Sequence, residues 1–339
     1  MNIWILTIGS SDVQLDSDSQ SKDKGRTTKS FSDQIWNYWY TDELKATHHL
    51  PNSAKPTRSF PDKKDETYRV SPRILGTVYK ASPETVQQEI LGYLTFPLLD
   101  NFVSKLKDMN VEDSEKYPLP AAIVLLLTDQ LAILTDRKLK SFYWQDTCEL
   151  EPILHHYLMK KFPDIVCQPV LLDPKEVGKG LDNWDAVLDL VGQRFKHLEI
   201  NGNSVEVREG ENAYVSHQAG TPAISSAVQF CSLAKFGDRV RFLVSNEDKS
   251  ELTGFVESSN YLRGIKREQA KELLENYDYA GVNKLIREYL LNEDTKILLD
   301  AGIQWNFAKF EEFADKLLQL TNPELQELVQ SVSDRRQYY

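Results

Sequence analysis

Basic residues are in short supply in this 339-residue chain: 40 Lys and Arg against 51 Asp and Glu leave a formal net charge of −11. A protein that coats nucleic acid non-specifically needs a cationic surface to displace phosphate counterions, so that class is disfavoured. A pocket for a small anion is still allowed, because backbone N–H groups at a helix start bind phosphate without net positive charge. Cysteine is scarce too. Cys148, Cys167 and Cys231 are odd in number and far apart, which argues against a disulfide framework and a zinc site. The longest apolar run, Ala121–Leu127, falls far short of the ~20 residues of a membrane span. Met1-Asn2-Ile3-Trp4 carries no basic n-region, so no secretory signal is expected. No Walker loop and no Gly-x-Ser-x-Gly elbow is present. Gly178-Lys179-Gly180 runs on to Asn183 instead of the third glycine of a dinucleotide fingerprint. His48-His49 and His155-His156 are adjacent pairs, and neighbouring helix positions point about 100° apart, which disfavours shared metal binding. The expected class is an acidic, soluble, cytoplasmic protein with no metal and no cofactor.

The organisation that is present is a strand–helix alternation. Ile3-Trp4-Ile5-Leu6 is a buried-strand pattern closed by Gly9-Ser10-Ser11. Asp12–Ser30 holds only Val13 and Leu15 as large apolar residues and reads as a mobile loop. Ile35–Tyr40 is too aromatic for a free linker and is expected to pack on a core, while 47–75 is again polar and proline-punctuated. Thr77–Lys80 reads as a short strand. Ser82-Pro83 then caps one long helix with a stripe at Val86, Ile90, Leu94, Leu98 and Phe102, kinked at Pro97. Further strands are expected at Ala121–Leu127, Ile165–Leu172, Ala213–His217 and Arg239–Val244, the last being final. Helices are expected over 146–161, from Trp184 to Leu198 and over Pro222–Phe236, where Gly237 stops the chain. The fold class is α/β: a doubly wound, mainly parallel Rossmann-like sheet over residues 1–245, with a polar and aromatic insertion at 12–75. No proline lies between Pro222 and Pro323, and helical periodicity dominates from Lys266, so 246–339 reads as a small all-helical domain.

The most informative segment is Tyr214–Ala227. A strand enters a glycine turn, Thr221 stands where an N-cap belongs and Pro222 at the first helical position. Ala223, Ser226 and Ala227 are small enough to let the helix start close to the sheet. Its N–H groups and dipole then face the carboxyl edge of the sheet, where α/β proteins bind phosphates. A well-capped helix with no ligand accounts for the same residues. Gly9-Ser10-Ser11 is a second strand-end loop, whose hydroxyls suit a ribose or phosphate but are also ordinary turn chemistry. Thr128-Asp129-Gln130 is a third, structural when taken alone. His217 is the one histidine expected beside a ligand.

At Gly220-Thr221-Pro222-Ala223-Ile224-Ser225-Ser226-Ala227 the sequence resembles the CRISPR-associated Rossmann-fold sensor proteins of type III CRISPR antiviral defence. Gly9-Ser10-Ser11 matches that family's first ligand loop. Leu273–Gly281 looks like the linker helices of its ancillary ribonucleases. The resemblance implies a homodimeric sensor (residues 1–245) with a helical linker (246–339), binding cyclic tetra- or hexa-adenylate across a two-fold axis. It implies a ligand set of Gly9, Ser10, Ser11, Gln130, His217, Gln218, Ala219, Gly220, Thr221, Pro222 and Ser225. The family's sensor domains can also cleave the ring without a metal. Ser10 and Ser11 would then position a ribose 2′-hydroxyl, and Gly220 and Thr221 would hold the phosphate. His217 as general acid competes with an ordinary strand-end histidine. A side chain at Gly220 is expected to block close phosphate approach.

One departure matters. The family's ribonucleases cut RNA with a C-terminal HEPN domain whose site is Arg, four to six residues, then His. No such spacing occurs anywhere in this chain, and no histidine follows His217. Any contact with RNA is therefore expected only through a domain beyond Tyr339, and the natural chain is expected to continue there. A ligand-responsive transcription regulator and a conventional Rossmann nucleotide-binding enzyme stay open as rivals. The acidic charge and the lack of a basic recognition helix weigh against direct DNA binding. This chain alone is expected to leave linear RNA intact with or without cyclic adenylates. Gel-resolved cleavage of the RNA would contradict that.

Overall fold

The computed structural model describes residues 1–16, 33–59, 67–133, 141–175, 177–246 and 250–336. The expected mobile loop Asp12–Ser30 lies outside the described residues from 17 onward. The chain divides into two compact units, Met1–Ser258 and Ser259–Tyr339.

The first unit is built on a six-stranded sheet. Its order is Gly254–Glu257, Val240–Val244, Ala213–Ser216, Ile3–Thr7, Ala122–Thr128, Val166–Leu172. All neighbours are parallel except the edge strand Gly254–Glu257, which runs antiparallel. Side chains alternate across a strand, and here both faces are covered. Trp4 and Leu6 enter one core with helices Pro72–Ala81, Pro97–Glu112 and Glu151–Lys161. Ile3 and Ile5 enter the other with helices Trp184–Lys196 and Pro222–Phe236. The fold is therefore a Rossmann-like α/β sheet, as the continuous apolar runs predict. From the central strand Ile3–Thr7 the chain builds outward on one side, then returns to lay Ala213–Ser216 on the other. The order reverses between these two strands, which run in register from Ile3 opposite Ala213 to Leu6 opposite Ser216. Their following loops part, and a crevice opens at the sheet's carboxyl edge.

The aromatic stretch packs, as expected. Trp36 and Trp39 lie on helix Asp33–Trp39 and are buried in the same core as Trp4. Trp36 stacks on Tyr40, and its indole N–H donates to the Ala54 carbonyl at 2.6 Å. The polar residues around it also form structure. Thr57–Arg58, Thr67–Arg69, Gln14–Asp16 and Leu94–Thr95 make a four-stranded antiparallel sheet, with Leu15 fully buried. Strands of two or three residues leave no legible period.

Several expectations fail locally. Thr77–Lys80 is not a strand but the end of helix Pro72–Ala81, in which Ile74, Leu75, Val78 and Tyr79 are buried at helical spacing. Ser82 does not cap the following helix; its hydroxyl donates back to the Val78 carbonyl at 2.7 Å. The single kinked helix is two, Glu84–Tyr93 and Pro97–Glu112, because Leu94–Thr95 pairs with Gln14–Leu15 and Pro97 starts a new helix. Val240–Val244 is not the last strand, and helix Ser258–Glu275 begins before Lys266.

In the second unit, Ala270, Val282 and Leu299 form the buried centre of a helical array. Asp294 accepts from the N–H groups of Thr321 and Asn322 at 2.7 and 2.9 Å, fixing the entry to helix Pro323–Arg336. Phe307, Phe310 and Leu318 are exposed.

Gly76 shows how tightly helix Pro72–Ala81 is seated. A Cβ there would stand 2.1 Å from the Glu149 carbonyl oxygen, which is backbone and cannot swing aside. Helix propensity favours Ala over Gly by about 1 kcal/mol, but overpacking costs about 1–3 kcal/mol. Gly76→Ala is therefore expected to lower the urea midpoint. Gly92→Ala, in open space on helix Glu84–Tyr93, is expected to raise it by an amount equivalent to about 0.5 kcal/mol. Equal shifts in the two variants would contradict the packing described.

Candidate functional site

The crevice at the strand-order reversal is a cleft of about 320 Å3. It brings together Gly9, Ser10, Ser11, Gln130, Gln218, Ala219, Gly220 and Thr221, all predicted from sequence. Its other lining residues include Thr128, Phe142, Gln145, Asp146, Thr147, Leu181 and Ile224. Larger hollows exist elsewhere, such as one of about 440 Å3 beside Phe96, Asp100 and Lys161. Position at the reversal, not size, distinguishes this cleft.

Its two central loops touch. The Thr7 hydroxyl donates to the Ser216 carbonyl at 3.1 Å and accepts the Ala219 N–H at 3.2 Å. A Cβ on Gly9 would lie 3.1 Å from the Gly220 nitrogen and 3.3 Å from the Ala219 Cβ, so any side chain there would press the two loops apart by a few tenths of an ångström. The Gly9 N–H donates to Asp12 Oδ2 at 2.7 Å, closing the turn. Gln14 Nε2 donates to the Ser11 carbonyl at 2.9 Å, and Ser10 is exposed at the tip. Gly220 has φ +91°, a region that favours glycine. A Cβ there would meet Ile224 at 3.5 Å, an ordinary contact, so within the protein it is the positive φ that favours glycine.

Thr221 caps helix Pro222–Phe236: its Oγ1 accepts from the Ile224 N–H at 3.2 Å, with Pro222 in the first turn. The same hydroxyl donates to the Leu181 carbonyl at 2.6 Å. It is therefore engaged within the protein, and an anion would meet backbone N–H groups and the helix dipole instead. Gln130 is engaged likewise, donating to Asp146 Oδ1 at 3.2 Å and accepting the Leu181 N–H at 3.1 Å. The Gln218 amide bridges to both backbone groups of Ser245. Among the described residues, no lysine or arginine lines the cleft.

His217, Pro222 and Ser225 are not cleft-lining residues. His217 Nδ1 lies 3.0 Å from the Ser225 hydroxyl, its ring edge-on to Phe242. Burial pushes its pKa down, which keeps the imidazole neutral at pH 7.

Sequence reasoning missed the wall formed by Phe142, Gln145, Asp146 and Thr147. Phe142 is 40% exposed beside the opening. Thr147 and Thr128 exchange bonds, each hydroxyl accepting the other's N–H, at 3.0 and 3.1 Å. Burial pushes the Asp146 carboxyl up, against the Gln130 N–H and Arg73, which act to hold it down. Cys148, just behind, is pushed up to about 12 by burial, so its thiol is protonated and unreactive near neutral pH. Nothing in local spacing marks these residues, since they reach the cleft through long-range packing. Among the described residues, no group of three or more His, Cys, Asp or Glu could hold a metal ion. No helix among them is long and apolar enough to cross a membrane.

No known protein family matches the sequence, and no curated protein matches it. Among solved structures it is similar to Enterococcus italicus Csm6 bound to cyclic hexa-2′-fluoro-hexa-dAMP, at 12% identity and a TM-score of 0.34. That similarity covers 59% of this chain and spans half the length of the Enterococcus chain.

The neutral state of His217 makes stability pH-dependent. In the unfolded chain this histidine takes up a proton near the ordinary value of 6.5, whereas the folded site resists it. Its contribution is therefore full above about pH 6.5 and falls as the pH drops below that value. His217→Gln is expected to flatten the decline in denaturation midpoint between pH 6.5 and 5. Identical slopes would contradict the assignment.

Proposed function

We propose that this chain is a sensor of cyclic tetra- or hexa-adenylate in type III CRISPR defence, acting in the cytoplasm as a homodimer. The observation that carries the reading is the convergence of the Gly9–Ser11 and Gln218–Thr221 loops at the strand-order reversal. There a capped helix presents its N-terminus to a cleft that, among the described residues, holds no cationic side chain. Such a cleft suits a phosphodiester held by backbone N–H groups, with Phe142 and Gln145 available to an adenine face and edge. A symmetric ring suits an isologous dimer, because each subunit then offers the same loops to half of it. The division after Ser258 supports reading the first unit as the sensor and the second as a helical linker.

The same loops support slow ring cleavage without a metal. Ser10 and Ser11 would orient a ribose 2′-oxygen for in-line attack on the adjacent phosphorus. The P–O5′ bond breaks, leaving a 2′,3′-cyclic phosphate and a 5′-hydroxyl. Backbone N–H groups at Gly220 and Thr221 would hold the phosphoryl oxygens. Thr221 contributes through its backbone, since its hydroxyl is engaged with Leu181 and Ile224.

The strand order also fits a dinucleotide-binding enzyme. That reading is weaker. Ile3–Thr7 leads through Gly9-Ser10-Ser11 into the short strand Gln14–Asp16, not directly into the pyrophosphate-binding helix that a dinucleotide fingerprint opens.

Calorimetry with cyclic tri-, tetra- and hexa-adenylate, followed by product analysis, tests the proposal. Tetra- or hexa-adenylate is expected to bind at one ring per two chains and to be converted slowly to linear products with 2′,3′-cyclic phosphate ends. EDTA is expected to leave that rate unchanged, and Ser11→Ala to slow cleavage more than binding. A monomer binding one ring per chain, or no binding to any ring, would contradict the sensor reading. An intact ring after prolonged incubation would remove the nuclease.

A further inference from the structure

Beneath the cleft lies a buried charge that the proposed function does not use. Arg73, on helix Pro72–Ala81, is 5% exposed. Its Nη2 donates to Asp129 Oδ1 at 2.7 Å and to Asp146 Oδ2 at 2.9 Å, and its Nε donates to the Tyr143 carbonyl at 2.9 Å. Its guanidinium carbon sits 4.0 Å from the centroid of the Tyr143 ring. One planar group thus ties the loop after strand Ala122–Thr128 to the segment that carries Phe142 and Gln145. A lysine could not reproduce that fork.

The ties continue across the cleft. Asp146 accepts from both the backbone and the side chain of Gln130. Gln130 accepts from Leu181, the Leu181 carbonyl accepts from Thr221, and Thr221 accepts from the Ile224 N–H. This series runs from a buried arginine on one side of the sheet to the first turn of helix Pro222–Phe236 on the other. A buried ion pair is poor evidence for stability as such, because apolar replacements often fold as well. What it offers here is geometric: a continuous series of bonds from the guanidinium to the cap of helix Pro222–Phe236.

We propose that Arg73 is a positioning residue for the cleft, acting through Asp146, Gln130 and Leu181 on Thr221 and the helix start. The proposal rests on the cleft being the ring-binding site, but the relay itself is testable without any ligand.

Arg73→Met, Arg73→Lys and Gln130→Met are compared with the unaltered protein. Two readouts are used: amide hydrogen exchange of the free protein, and calorimetric affinity for cyclic tetra- and hexa-adenylate. Gln130→Met breaks the relay at its middle and leaves the buried ion pairs intact, so it keeps the test valid if Arg73→Met folds poorly. The relay predicts that Gln130→Met speeds exchange of the Ile224 amide about tenfold while core strands stay protected. It predicts an affinity loss of about tenfold for the same variant. Arg73→Lys is expected to fall between Arg73→Met and the unaltered protein on both measures. A merely structural arginine would leave Ile224 exchange unchanged in Arg73→Lys and Arg73→Met; that result, or unchanged Ile224 exchange in Gln130→Met, overturns the proposal. If the unaltered protein binds neither ring, the sensor reading fails, and the exchange measurement alone decides the relay.

Discussion

The first unit turns on the contact between two loops that leave adjacent strands. Ile3–Thr7 and Ala213–Ser216 run parallel and end at the same level, so the chain segments after them emerge side by side. Gly9 permits this by lacking a side chain, and the Thr7 hydroxyl bonds both to the Ser216 carbonyl and to the Ala219 N–H. Two more loops are tied in by Gln130, Leu181 and Thr221. The polar groups that look available in the sequence are largely engaged in holding this frame. What faces the opening includes backbone, two serines and a wall with Phe142 and Gln145. Such a frame is preorganised, and a ligand that fits it loses little affinity to reordering the protein.

The aromatic insertion has a structural role that follows from the same frame. Trp36, Trp39 and Tyr40 enlarge the core on the Trp4 face of the sheet. That core also holds Ile74, Leu75 and Val78 of helix Pro72–Ala81, from which Arg73 reaches beneath the cleft. The insertion is therefore continuous with the site in physical terms, through one buried guanidinium and the carboxylates it neutralises.

Much of the fold was legible because buried parallel strands write themselves as apolar runs. Ile3–Leu6, Ala122–Leu127 and Ala213–Val215 show no polar interruption, and the helix at Pro222–Phe236 carries both its start signal at Thr221 and its stop at Gly237. The two central loops were legible for the same reason: they follow unmistakable strands. Thr77–Lys80 misled because four residues with two apolar members fit a strand or a helical turn equally well, and only burial of Ile74 through Tyr79 decides it. Leu94–Thr95 was hidden inside a helical stripe because its partner, Gln14–Leu15, lies far away in sequence. At the site, the residue types and positions were visible, but their engagement was not. That Thr221 bonds Leu181, or that Gln130 bonds Asp146, depends on segments about 40 and 16 positions away meeting in three dimensions.

The central claim is that the loops at the strand-order reversal form one anion-binding frame for a cyclic oligoadenylate. Amide hydrogen exchange with and without saturating cyclic tetra- or hexa-adenylate tests it most directly. The account predicts that protection rises together at Gly9–Ser11 and at Gly220–Ile224, with a change at Phe142–Gln145. Protection confined to other surfaces, or at one loop without the other, would contradict it.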